Sequence, residues 1–234
     1  MNGTDSDKQT TMANTMISSK LAGKAKAFGG RSILSVMLAL GIAAPAVTAF
    51  NGPVLAQSGA AQRIADHFSS IPSMHGDFVQ FDPNGRQSEG KFYIEKPGKV
   101  RFDYASQPLR VIADGTTVAI NNKKLNTWDT YPLSQTPLKL LLDRRINLSS
   151  ANIRSVREEP DLTTIVMGDR SVFGNSTITM MFDPQSSDLK QWTIRDKQGR
   201  DTTVMIYNVK EGGDIQNSAF NIPYTAIQQG QTGN

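Results

Sequence analysis

From Glu89 to Tyr104 the chain reads EGKFYIEKPGKVRFDY. Phe92 and Ile94 lie before a Lys96-Pro97-Gly98 turn, and Val100, Phe102 and Tyr104 lie after it, with apolar residues at every second position on both sides. A period of two sends alternate side chains to opposite faces of an extended strand, and Pro-Gly is turn chemistry. The stretch is therefore a hairpin with one apolar face. That face has to be covered, either by a packed core or by a bound apolar molecule.

The same period recurs to the end of the chain. Strands are expected at residues 74 to 81, 87 to 95, 99 to 104, 109 to 113, 116 to 120, 125 to 131, 153 to 158, 162 to 167, 176 to 182, 189 to 196 and 201 to 209. Turn residues separate them: Pro83-Asn84-Gly85, Asp114-Gly115, Asn121-Asn122, Gly174-Asn175, Asp183-Pro184 and Gln198-Gly199. Short strands joined by tight turns make an antiparallel meander, and so large a twisted sheet curls on itself. Two segments depart from the pattern. Ile64, Phe68 and Ile71 stand at i, i+4 and i+7, which predicts an amphipathic helix over residues 60 to 70. Pro137 followed by Leu138, Leu140, Leu141 and Leu142 predicts a short helix with proline in its first turn. These two helices are the pieces available to cover the apolar face of the sheet. Trp128, Trp192, Phe78, Phe81, Phe182, Met167, Met180, Met181 and Met205 read as core residues. So many bulky inward side chains under two short helices imply volume left between the layers.

The formal charge of +4 suggests an anionic partner only until the N-terminus is considered. Lys8, Lys20, Lys24, Lys26 and Arg31 precede the apolar, small-residue stretch SILSVMLALGIAAPAVTAFNGPVLAQ. This is the order of a secretory signal, with cleavage expected after Val54-Leu55-Ala56 and a second choice after Val47-Thr48-Ala49. Translation from Met12 or Met16 would shorten the basic region. Gly41 and Pro45 interrupt the apolar run, which argues against a spanning helix of roughly 20 residues. Loss of residues 1–56 leaves 20 basic against 19 acidic residues, so nucleic acid is not expected as a partner. The chain has no cysteine, hence no disulfide and no thiol to carry a lipid anchor. Residues 57–234 are expected to form one soluble domain.

Enzyme chemistry is poorly supplied. The only histidines are His67 and His75, and the sequence contains no HExxH, GxSxG or strand-linked GxGxxG motif; the GxxxxGK spacing from Gly85 to Lys91 is followed by Phe92 and not by the Ser or Thr of a phosphate loop. His75 with Asp77 offers two ligands at a spacing that makes no metal site unaided. No catalytic residue, metal or cofactor is expected.

Taken in order, Phe78-Val79-Gln80, Glu89-Gly90, Lys96-Pro97-Gly98, Asp114-Gly115, Thr136-Pro137-Leu138 and the closing Phe220-Asn221-Ile222-Pro223 resemble the periplasmic outer-membrane lipoprotein carrier family, LolA. The resemblance covers residues 61 to 223. It implies a mainly β fold with α: an unclosed antiparallel barrel of about eleven strands, with a helical lid over a hydrophobic cavity. It also implies a monomeric periplasmic carrier that takes acylated lipoproteins from an inner-membrane ATP-driven transporter and delivers them to an outer-membrane acceptor or to the membrane directly. On that pattern Phe78, Phe92, Ile94, Val100, Phe102, Tyr104, Val111, Val118, Ile120 and Met180 line the ligand space, and Leu138, Leu141 and Leu142 form the inner face of the lid. Members of the family carry an arginine before the turn proline that bonds to lid backbone. Lys96 stands there in this chain, a point charge in place of a planar fork, as a lid latch of different geometry or a solvated turn residue. A lipid-sensing regulatory domain of the same fold, or a carrier of another lipid such as a glycolipid or hopanoid, are the other functions compatible with these residues.

Overall fold

The structure, a computed structural model, describes residues 59–229 apart from 149 and 151. The expected signal segment and its cleavage sites lie outside the described residues.

Helix α1 (Gly59–Ser70) opens the described chain and turns Ala61, Ile64, Ala65 and Phe68 inward. Six strands follow: β1 (Ser73–Phe81), β2 (Gln87–Glu95), β3 (Lys99–Tyr104), β4 (Leu109–Asp114), β5 (Thr117–Asn122) and β6 (Thr127–Pro132). A 3-10 turn at Leu133–Gln135 leads into α2 (Leu138–Leu142). The second run is β7 (Ile153–Glu158), β8 (Thr163–Met167), the single turn α3 (Arg170–Phe173), β9 (Thr177–Phe182), β10 (Leu189–Arg195) and β11 (Asp201–Glu211). A 3-10 turn at Asn217–Phe220 and α4 (Tyr224–Gln228) follow.

All eleven strands form one sheet in the order β6-β5-β4-β3-β2-β1-β11-β10-β9-β8-β7, each neighbour antiparallel. Each run is a meander, and the β1·β11 pairing joins the two. β6 and β7 are left as edges, so the sheet does not close. Both edges are half-exposed or exposed throughout and carry Asp129 and Pro132 on β6, and Arg154, Arg157 and Glu158 on β7. Charge and proline on an edge discourage pairing with another chain.

The register explains the opening hairpin. Phe92 faces Phe102 and Ile94 faces Val100 across β2 and β3; Phe102 then meets Val111 on β4, which meets Ile120 on β5. One apolar row thus crosses four strands. Gly90 sits in the next row because the Phe78 ring lies over it: a Cβ there would be 2.9 Å from Phe78 Cε1 and 2.0 Å from the Asp103 carbonyl oxygen. Gly98 adopts a positive φ of 83°, and a Cβ on it would lie 2.7 Å from Gly115 Cα. The Lys96-Pro97-Gly98 and Asp114-Gly115 turns are therefore packed against each other.

The outer face is not simply polar. Ile112 and Ala119, on the opposite face of β4 and β5, form a second buried cluster with Phe220 and Ile222 of the C-terminal segment. Arg101 donates to the Ala219 carbonyl at 3.2 Å, and the Tyr224 hydroxyl donates to Asp114 at 2.6 Å, fastening that segment down. The reading of Met205 as core is corrected: it is 46% exposed, because it alternates with the inward-facing Val204 and Ile206 on β11.

Candidate functional site

The inner face of the sheet carries one continuous apolar cluster. Phe78, Phe92, Ile94, Val100, Phe102, Tyr104, Val111, Val118, Ile120, Leu138, Leu141, Leu142 and Met180 all belong to it. The sequence pattern on β1 to β5 thus brings together residues from strands and helix that the turns set far apart in the chain. The same face also contains Ile64 and Phe68 from α1, Leu140 from α2, and Ile165, Ile178, Phe182 and Trp192 from β8 to β10. These were legible as apolar positions and not as members of the site, since alternation shows which residues share a face and not which strands share a sheet.

The interior is closed. Phe78, Phe92, Val100, Val118, Leu141 and Met180 are fully buried. The Phe78 ring stands edge-on to Phe102 and to Tyr104, each at 5.1 Å, and Phe102 is 6.1 Å from Trp192. The aromatic rings on this face meet one another, and α1 joins them through Phe68, whose ring stands edge-on to Phe182 at 5.6 Å. One polar pair sits among them: the Tyr104 hydroxyl donates to Gln80 Oε1 at 2.7 Å. Burial raises the Tyr104 phenol far above its usual range, so this oxygen stays a neutral donor.

The β2–β3 turn holds both helices. The Lys96 ammonium donates to the Phe68 carbonyl in the last turn of α1 and lies 4.0 Å from the centre of the Phe68 ring. A cation there is favoured twice, by the carbonyl end of a helix and by the ring face. Two residues on, the Gly98 N–H donates to the carbonyl of Leu142, the last residue of α2, at 2.9 Å. Lys96 N–H donates to the Pro72 carbonyl at 2.8 Å, and the Ile146 N–H donates to Ser69 Oγ at 3.1 Å, tying the segment after α2 to α1. The Lys96–Pro97 peptide bond is cis. Burial pulls the Lys96 ammonium down to about 8, with the Glu211 carboxylate opposing the shift; the Phe68 contacts also favour the charged form, so Lys96 is a cation at neutral pH. Lys96 is therefore not a free turn residue, although lysine supplies only part of what a planar five-donor fork could offer to two helices. Gly98 supplies the remainder through its backbone.

The sequence profile described as "Outer membrane lipoprotein carrier protein LolA" matches residues 69–223. The chain belongs to the LolA family. The match runs from the last turn of α1, through the turn and α2, to Pro223 behind the outer-face cluster. Among LolA-family proteins, the outer-membrane lipoprotein carrier protein of Chromohalobacter salexigens is 26% identical over 179 residues, covering 70% of this chain and 83% of its own. Among solved structures, a LolA superfamily protein from Nitrosomonas europaea is 10% identical with a TM-score of 0.40, covering 70% of this chain and 98% of its own. The MucA/MucB complex of Pseudomonas aeruginosa gives 13% identity and a TM-score of 0.40, covering 70% of this chain and 60% of the other. The LolA family is one of carriers and not of enzymes. Among the described residues no helix is long and apolar enough to cross a membrane.

Proposed function

We propose that the protein is a periplasmic carrier that receives the acyl chains of lipoproteins released from the inner membrane by an ATP-driven transporter and delivers them to the outer membrane, directly or through an acceptor. It acts as a monomer after removal of residues 1–56 as a signal peptide, and its ligand space opens when α1 and α2 lift from the inner face. The observation that carries this reading is the pairing of an interior that is apolar except for the Tyr104–Gln80 bond with polar fastenings at its rim: Lys96 on Phe68 and Gly98 on Leu142. The residues that line the space are those of the inner-face cluster, with Phe92, Phe102, Val111 and Ile120 as its central row and Leu138, Leu141 and Leu142 as the lid.

Transfer energetics favour such a carrier. Each buried CH₂ is worth about 0.8 kcal/mol relative to water, so a sixteen-carbon chain amounts to roughly 12 kcal/mol. Three such chains would exceed the ceiling of about 18 to 21 kcal/mol seen for noncovalent affinity. Cargo therefore exchanges between membrane and protein interior, both apolar, with a small net difference. An interior that must first displace its own packing against the helices is a slightly poor host, which favours onward delivery.

Mass spectrometry of the protein isolated from periplasm tests this directly. Bound triacylated lipoprotein is expected. A glycolipid or hopanoid in its place would assign the carrier another cargo, and absence of any lipid together with a stable protein partner would favour a regulatory role.

A further inference from the structure

Away from the apolar face, one cluster of polar side chains has no task in the carrier reading. His67 on the last turn of α1, Asp188 just before β10 and Glu211 at the end of β11 each bring one ligand atom to within 4.8 Å of the others. His67 Nε2 is 3.6 Å from Asp188 Oδ1 and 4.0 Å from Glu211 Oε1. The histidine side chain is 35% exposed, yet this nitrogen is itself shielded from solvent and has no hydrogen-bond partner.

Those spacings are informative. A charge-assisted hydrogen bond would draw nitrogen and oxygen to about 2.7 to 2.9 Å. A tetrahedral ion with bonds of about 2.0 to 2.2 Å keeps its ligand atoms about 3.4 Å apart. The cluster is too open for the first; the His67–Asp188 spacing of 3.6 Å is close to the second, while the wider 4.0 Å to Glu211 has to close by about half an ångström, which the Glu211 side chain, 36% exposed, can do. Asp188 is also oriented: its Oδ2 accepts from Ser186 Oγ at 2.8 Å and from Lys190 Nζ at 3.1 Å, which leaves Oδ1 turned to His67. Bonds of this kind to the second oxygen hold a ligating carboxylate in place. A surface cleft of about 370 Å³ is lined by both carboxylate residues, Asp188 and Glu211, together with Lys190, Ile206 and Tyr207; His67 does not line it and meets the carboxylates from the α1 side. Lys190 on Asp188 and the Lys96 ammonium facing Glu211 oppose a cation. Neither occupies the oxygen that faces His67.

We propose that His67, Asp188 and Glu211 bind a divalent transition ion of the zinc class, with water in the fourth position. Because His67 rides on α1 while both carboxylates belong to the sheet, the ion staples that helix down; this consequence, unlike the site itself, rests on the lid reading of α1.

The test uses protein purified without a polyhistidine tag, stripped with chelator and titrated with zinc chloride by calorimetry. One ion per chain is expected, with affinity at least tenfold weaker in His67→Ala and in Glu211→Gln and unchanged in His75→Ala. Zinc should raise the melting temperature of the wild type and not of His67→Ala. No saturable binding, or binding lost in His75→Ala and kept in His67→Ala, overturns the site. So does a cluster that answers only to protons, giving no zinc heat while His67→Ala loses stability at acid pH alone. A fluorescent fatty-acyl probe then reads the staple: zinc should slow its uptake by the wild type only. Zinc binding with unchanged uptake overturns the staple and leaves the ion site standing, whereas zinc binding by a protein that takes up no probe at all contradicts the carrier reading instead.

Discussion

The Lys96 ammonium and Phe68 meet twice, through the Phe68 backbone carbonyl and through its ring, 4.0 Å from ammonium to ring centre. The β2–β3 turn thus fastens the C-terminal end of α1 through one side chain on one residue, beside the Ile146–Ser69 bond from the segment after α2. Lys96→Leu removes a charge-assisted bond worth about 1.5 to 3 kcal/mol, and each 1.4 kcal/mol is tenfold in an equilibrium. If closure competes with cargo, as the proposed function requires, the variant should bind an acyl probe about tenfold more tightly and pass lipoprotein to acceptor membranes correspondingly less. Lys96→Arg should recover transfer. Wild-type transfer by Lys96→Leu would reduce the contact to a structural detail of the turn.

The same lysine sets a pH dependence whose sign can be worked out. Held against α1, Lys96 titrates at about 8; released into water it returns toward 10.5. Between those values the closed form binds fewer protons than the open or unfolded chain, so raising the pH through this window stabilises closure: the neutral amine escapes the cost of burying a charge and, unlike leucine, still donates to the Phe68 carbonyl, while below about pH 8 both forms are protonated and no dependence arises. Acyl-probe affinity should fall from pH 8 to pH 10, by less than tenfold per pH unit because Lys96 is only partly shielded. In Lys96→Met that component should vanish. An affinity that rises across the window in the wild type alone would reverse the sign and refute the assignment.

Tyr104 and Gln80 form a buried polar bond inside the apolar face. Tyr104→Phe leaves Gln80 Oε1 without its donor, at a cost of about 1 to 3 kcal/mol. Adding Gln80→Leu should return much of that loss, since no orphaned oxygen then remains. Chemical denaturation of the two single variants and the double variant measures the coupling; additive losses would show that the bond is not what matters there.

Gly90 makes room for the Phe78 ring. Gly90→Ala sets a methyl group against both that ring and the Asp103 carbonyl, and should destabilise by about 1 to 3 kcal/mol or more. The Phe78→Leu partner change can relieve the ring contact but not the backbone one, so rescue should be partial. Full stability of Gly90→Ala would show that β2 and β3 shift freely at this point.

Much of this architecture was legible because hairpins declare themselves locally. Phe92, Ile94, Val100 and Phe102 alternate, Pro97-Gly98 turns, and no distant residue is needed to see it. β4 and β5 were harder to delimit, since Ile112 and Ala119 are buried on the outer face against Phe220 and Ile222, which blurs the alternation; β5 runs on to Asn122, and β6 begins only at Thr127. The short helices α3 and α4 carry no amphipathic period, and neither was foreseen. Of the β2–β3 turn's contacts with the helices, Lys96 stood out as a side chain at a marked position, whereas Gly98 bonds through its backbone N–H and leaves no trace in residue type. His67, Asp188 and Glu211 are brought together by the β10·β11 and β1·β11 pairings and the packing of α1, and the last two of these no local pattern encodes.

The most direct test of the carrier reading places the reporter inside the apolar face. Trp192 is buried beside Phe102 on that face, and Trp128, the only other tryptophan, packs with the outer cluster. In a Trp128→Phe background, titration with a triacylated lipopeptide should give a saturable change in Trp192 emission at one ligand per chain. Phe102→Glu, which sets a charge where the chains would lie, should abolish that change while the circular dichroism of the sheet persists. Lipopeptide binding that leaves Trp192 emission untouched, or that survives Phe102→Glu at full affinity, would contradict carriage of acyl chains between the sheet and its helices.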